Sequence, residues 1–128
     1  MEAIFKSKLI GIDTNQEHTE VVGFSEDETY SKTVIIQSQQ QLSEAEKKMG
    51  WTKYYVEIFG NGAYSCLTKV SLNRVSLTLH FNSIGVEKFG IDSIFIHFDI
   101  ADAVYLSLEK ALRSAFASDL GHQFKIDA

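Results

Sequence analysis

Val75-Ser76-Leu77-Thr78-Leu79-His80-Phe81 alternates apolar and polar side chains without a break. A β-strand turns successive side chains to opposite faces. This heptapeptide therefore puts Val75, Leu77, Leu79 and Phe81 on a core face and Ser76, Thr78 and His80 on a wet one. Just upstream, residues 65–72 repeat the pattern with Cys66, Val70 and Leu72 on one side, and Asn73-Arg74 has the length of a two-residue hairpin turn between the two segments. Further upstream, Tyr54 to Phe59 reads as another strand. It ends at Gly60-Asn61-Gly62, where an Asn-Gly pair supplies the positive φ angles of a tight turn. Together these segments predict a three-stranded antiparallel meander over residues 53–82.

Period two continues on both sides of the meander. Strands are expected at residues 3–12, 20–24 and 30–37, with Glu26-Asp27-Glu28 in the turn between the last two. Downstream, Ser93 to Phe98 places Ile94, Ile96 and Phe98 on one face and Phe95 on the other, as in a central strand covered on both sides. One long helix is expected from about residue 101 to 117. Val104, Leu108, Ala111, Leu112 and Ala115 form its apolar stripe, Asp99 is its cap, Asp102 favours the positive end of its dipole, and Glu109 pairs with Arg113 outside. Ser43 and Glu46 make a capping-box pattern closed by Gly50, which predicts a short helical turn at 44–49. The fold class is therefore α+β: a mainly antiparallel sheet of about seven strands, one long C-terminal helix and that short turn.

The 128 residues contain no proline, no repeat and no biased linker, and a chain of this size buries roughly two-thirds of its unfolded surface around one core. Residues 1–128 are thus expected to form a single domain. With 45% hydrophobic and 23% charged residues, intrinsic disorder is excluded. Glu2, Lys6 and Lys8 interrupt the apolar residues of the first eleven positions, so a secretory signal is not expected. The longest uncharged stretch, Val75 to Val86, is too short to span a bilayer as a helix. A single cysteine, Cys66, cannot close an intrachain disulfide and reads as a small buried hydrophobe; the cytoplasm is the expected compartment.

Tests for chemistry fail one by one. Asp13, Asn15 and Glu17 have the spacing of a calcium loop, but His18 stands where glycine is required and Phe24 where the bidentate carboxylate belongs. His18, His80, His97 and His122 have no second ligand at zinc-site spacing, and His80 and His97 read as half-buried strand residues. Gly60 and Gly62 lack the helix, lysine and third glycine of a phosphate cradle. Glu57, set among aromatics, reads as a strand residue rather than a general acid. No catalytic, cofactor-binding or metal-binding residue is expected, and no cofactor.

Charge is more informative. Residues 1–46 hold nine acidic residues and three lysines, whereas 47–128 hold eight acidic and nine basic ones, so the whole net charge of −5 comes from the first third of the chain. Such a field repels nucleic acid and steers basic partners toward its turns.

In order along the chain, Val22-Gly23-Phe24 precedes an acidic turn and a β-branched strand. Gly50-Trp51 leads into Tyr54-Tyr55-Val56-Glu57-Ile58, and Val70-Ser71-Leu72-Asn73-Arg74-Val75-Ser76-Leu77-Thr78-Leu79 follows. An Ile/Phe strand ending at Asp99 and a helix with Leu108, Ala111, Leu112 and Phe116 complete the pattern. Over residues 20–117 this resembles the tenth immunity-protein family of bacterial polymorphic-toxin and contact-dependent growth inhibition systems. The resemblance implies a cytoplasmic protein that binds and neutralises a cognate toxin domain. That toxin is expected to be basic, an RNase or DNase, with no direct nucleic-acid or membrane contact by this chain. The toxin-binding residues expected from the acidic turns are Glu26, Asp27 and Glu28, with Glu17, Glu20 and Glu44 beside them. Two rival readings stay open at this point. One is a single-stranded nucleic-acid module stacking bases on Tyr54, Tyr55, Phe59 and Tyr64; the other is a small ligand-binding domain with a concave polar pocket.

Overall fold

The long alternation expected over residues 3–12 breaks at Lys8, and the break sends its two halves into different sheets. A computed structural model describes residues 2–13, 19–29, 32–39, 43–49, 52 and 54–127. Its strands are β1 (Glu2–Ser7), β2 (Leu9–Asp13), β3 (Thr19–Ser25), β4 (Thr33–Gln39), β5 (Tyr54–Ile58), β6 (Asn61–Tyr64), β7 (Leu67–Leu72), β8 (Ser76–Phe81), β9 (Ser93–Phe98) and β10 (Phe124–Ile126). The helices are α1 (Glu44–Lys48), α2 (Ser83–Phe89) and α3 (Asp102–Leu120). The first sheet has the order β1-β9-β8-β7-β10 and the second β2-β3-β4-β5-β6. The α+β class with mostly antiparallel pairing holds, but the described residues form ten strands rather than seven. The two parallel pairs, β1 with β9 and β10 with β7, lie at the edges of the first sheet.

The second sheet is a sequential meander. Its β5–β6 turn is Phe59-Gly60, with φ of +49° and +91°, the pair of left-handed residues that a primed two-residue hairpin requires. Asn61-Gly62, expected in that turn, instead begins β6. Phe59 holds its uncommon conformation between the ring of Phe5, 5.8 Å away, and Lys32 Nζ, 6.0 Å from its centroid. At Ser65, φ is +56°, and the chain leaves the second sheet there for the first. The expected meander over 53–82 is therefore split: β5 and β6 belong to one sheet, β7 and β8 to the other. Asn73 organises the β7–β8 turn, since its Oδ1 accepts from Val75 N–H (2.9 Å) and from Ser76 Oγ (3.0 Å). Val75 is half-exposed in that turn rather than in the core.

The inner faces of both sheets share one core. Val22, Phe24, Val34, Ile36, Val56 and Ile58 meet Phe5, Val70, Leu72, Leu77, Leu79, Ile94, Ile96 and Phe98, with Phe24 and Phe98 stacked at 6.3 Å. Helix α3 adds Leu108, Ala111, Leu112, Ala115 and Phe116. Phe116 packs edge-on to Tyr54 at 5.4 Å and lies 5.8 Å from Phe124, so α3 contacts the inner faces of both sheets at one end. The helix begins one residue after Ala101, which supplies no side-chain cap, so Asp99 does not cap it. Asp102, in the first turn, is held by Arg74 at 2.7 Å instead. Helix α2 was not expected, because seven residues including Gly85 and two β-branched side chains read poorly as helix. It is defined at its ends by Asn82, whose side chain accepts from Gly85 N–H (3.2 Å), and by Gly90 at φ +74°. The Ser43 and Glu46 capping box is formed as expected.

Candidate functional site

The β3–β4 connection carries Glu26, Asp27 and Glu28 in a turn that the chain builds locally. Ser25 Oγ donates to the Asp27 carbonyl at 2.7 Å. Asp27 Oδ1 accepts from Thr29 N–H at 2.9 Å and from Thr29 Oγ1, so its carboxylate is fixed by the turn. Glu28 is exposed, with Glu26 and Asp27 half-buried beside it. Lys8, at the β1–β2 bend, donates its N–H to the Ser25 carbonyl (2.8 Å), and a hollow of about 310 Å³ is lined by Lys8, Leu9, Asp27, Glu28 and Thr29.

The other expected contact residues lie elsewhere. Thr19 pairs with Gln39 and Ser25 with Thr33, so β3 starts at the opposite end of the sheet from the acidic turn, about 20 Å away over seven residues. Glu20 is at that far end. It shares an inward-facing row with Ser38 and Tyr54, and its Oε2 is buried near Ser107, Lys110 and Ala111 of α3 without a hydrogen-bond partner among the described residues. Glu44 opens α1 and pairs with Lys47 at 3.7 Å. Glu17 lies outside the described residues. The acidic first third is thus distributed over both ends of the second sheet, and only Glu26, Asp27 and Glu28 form a cluster among the described residues.

Cross-strand register reveals a surface that the linear sequence hides. On the outer face of the second sheet, Leu9, Ser25 and Thr33 form one row, Gly11, Gly23, Ile35, Glu57 and Gly62 the next, and Asp13, Val21, Gln37, Tyr55 and Tyr64 a third. A Cβ at Gly62 would run into the Tyr55 ring, because Tyr55 lies over that glycine and meets Tyr64 at 4.9 Å. Gly11 and Gly23 are different. They face each other across β2 and β3, and a Cβ on either would meet none of the described residues within 4 Å. Their bare backbones floor a hollow of about 320 Å³ that Leu9, Thr33 and Ile35 border.

Cys66 is fully buried, with burial pushing its thiol up to about 12, so it is no nucleophile near neutral pH. Tyr54, only 2% exposed, is unavailable as a stacking platform. Among the described residues, no three His, Cys, Asp or Glu side chains gather as a metal site, and no helix is long and apolar enough to cross a membrane.

The family model described as Immunity protein 10 matches residues 6–106, which include the acidic turn and the whole second sheet. The chain belongs to the Immunity protein 10 family. No match was found among the curated proteins or the solved structures. In this Immunity protein 10 member the turn signal was legible in sequence, whereas the outer-face glycines and tyrosines become neighbours only once strand register is known.

Proposed function

We propose that this chain is the immunity partner of a toxin domain of a bacterial polymorphic-toxin or contact-dependent inhibition system. It acts in the cytoplasm by stoichiometric binding rather than by catalysis, with Glu26, Asp27 and Glu28 leading its contact surface. The observation that carries the reading is the family match over residues 6–106. The acidic turn supports the choice of surface, because it presents three carboxylates at one end of a rigid sheet, and fixed charge of this kind raises association rates with an oppositely charged partner. A basic toxin fits, and nucleases, which must hold a polyanion, are basic at their substrate face. Glu20, turned toward α3, is left out of this surface, and Glu44 would touch a partner only if it reached the far end of the sheet.

The test uses the purified domain encoded immediately upstream of this chain's gene. The wild-type chain is expected to bind it one to one and to protect cells expressing it. The Glu26→Lys, Asp27→Lys, Glu28→Lys triple variant should associate more slowly and lose the salt dependence of the wild-type rate. Absence of wild-type binding would overturn the immunity reading, and a triple variant that associates at the wild-type rate with the wild-type response to salt would overturn the acidic surface.

A further inference from the structure

Gly11 and Gly23 sit in strand interiors, where glycine weakens a sheet through its backbone entropy and its lack of packing. Glycine persists in strands where the backbone needs a positive φ, where a neighbour occupies the Cβ position, or where something outside approaches the backbone closely. Here neither residue has a left-handed φ, the β2–β3 and β3–β4 registers pass both without a bulge, and among the described residues nothing lies within 4 Å of a Cβ built on either. Gly62, on the same cross-strand row, shows the contrast, since Tyr55 fills its Cβ position. The open pair therefore leaves room that no described residue of this chain fills.

The surroundings specify the chemistry of what would fill it. The glycine trough has an apolar border in Leu9 and Ile35, and Leu9 also lines the hollow that holds Asp27 and Glu28. Trough and acidic hollow adjoin at Leu9, so together they make a depression with bare backbone and an apolar border at one end and carboxylates at the other. Asp27 and Glu28 line the acidic hollow together with Lys8, Glu26 precedes them in the same turn, and Lys32 lies over the Phe59 ring. We propose that this depression is the anchor pocket of the immunity interface. An arginine side chain of the toxin domain lays its aliphatic stem across the backbones of Gly11 and Gly23 and brings its guanidinium to Asp27 and Glu28. Arginine suits the shape because its stem packs on apolar surface while its planar fork meets carboxylates in two parallel hydrogen bonds. The proposal rests on the immunity reading and deepens it by naming what the partner inserts.

Filling the trough separates stability from binding. Gly23→Val and Gly11→Val add β-branched side chains into open space in strands that favour them, so their melting temperatures should equal or exceed that of the wild type. Their affinity for the upstream-encoded domain should fall about thirtyfold or more, the loss of one hot-spot side chain. The Gly11→Ala, Gly23→Ala double variant adds one carbon at each position and should shift affinity in the same direction if a valine variant fails to fold. Alanine scanning of the toxin's arginines should reveal one whose loss matches that of Gly23→Val and is not additive with it. Wild-type binding with a Gly23→Val affinity within threefold of it would overturn the pocket. A coupled toxin residue other than arginine would overturn the assignment of the occupant. Failure of the wild type to bind would instead bring down the immunity reading beneath both.

Discussion

Replacing Tyr54 by phenylalanine removes one oxygen from the junction between the two sheets. Tyr54 belongs to β5 in the second sheet, yet its Oη accepts the N–H of Leu67, the first residue of β7 in the first sheet, at 3.1 Å. That N–H depends on a side chain because the β7–β8 register slips between Leu67 and Lys69. The residue is 2% exposed and its ring packs edge-on to Phe116, so phenylalanine keeps the apolar contacts and deletes only the hydroxyl, with its bond to Leu67 N–H and its hydrogen bond with the Thr52 side chain. A buried donor left without an acceptor costs about 1–3 kcal/mol; losing the hydroxyl's own desolvation offsets part of this, so a net loss of about 1–2 kcal/mol is expected. With an m-value of about 2 kcal/mol/M, the urea midpoint should fall by about 0.5–1 M at unchanged slope. A pH series adds an independent check. Burial pushes the Tyr54 hydroxyl up to about 12 from an ordinary value of 10.0, against the opposing pull of the Leu67 hydrogen bond. The unfolded chain therefore ionises this phenol first, and the wild type loses stability as pH rises from about 10 toward 12. The phenylalanine variant has no such group, so the stability gap between the two proteins should narrow across that window. Equal urea midpoints at pH 7, or a gap that widens above pH 10, would refute the role given to this hydroxyl.

Gly85→Ala should destabilise the fold despite alanine's better helix propensity of about 1 kcal/mol. The new methyl would lie 2.7 Å from the Cys66 carbonyl and 2.7 Å from Phe81 Cβ, and overpacking costs about 1–3 kcal/mol, so calorimetry should show a lower melting temperature. Cys66, fully buried, should resist an aromatic disulfide reagent at pH 8 in the native protein and react at the rate of global unfolding when urea is added; immediate labelling would contradict its burial. Arg74→Ala removes contacts to Asp102 (2.7 Å), the Ile100 carbonyl (2.7 Å) and the Tyr105 ring (5.0 Å). Because Asp102 is almost fully exposed, the loss measured in urea should stay near or below about 1 kcal/mol, and much of it should vanish in high salt.

Strand existence was legible because alternation directly encodes which side chains face the core. Sheet membership was not, because alternation says nothing about the neighbour. Residues 3–12 keep a plausible strand pattern straight through Lys8, although the chain changes sheets there, and Ser65 does the same with one left-handed residue. The acidic turn was legible as a turn. Its association with a glycine trough was not, since Gly11 and Gly23 are twelve positions apart and become opposed only through the β2–β3 register. Glu20 shows the converse failure: its type reads as surface, yet its row places it inward, beside Ser38 and Tyr54.

The two sheets also differ in when they can exist. Every neighbour in the second sheet follows its predecessor along the chain, so that sheet is complete in sequence by residue 64. In the first sheet Glu2 must wait for Ser93 and Leu72 for Ile126. At ribosomal rates of about 5–20 residues per second, the first strand remains without its neighbour for roughly 5–20 s. Local antiparallel pairing is also the kinetically easier kind, whereas long-range parallel pairing is slow. The acidic turn and the trough both lie in the early-completed half, so the proposed contact surface is laid down before the sheet that backs it, while β1 is still an open edge.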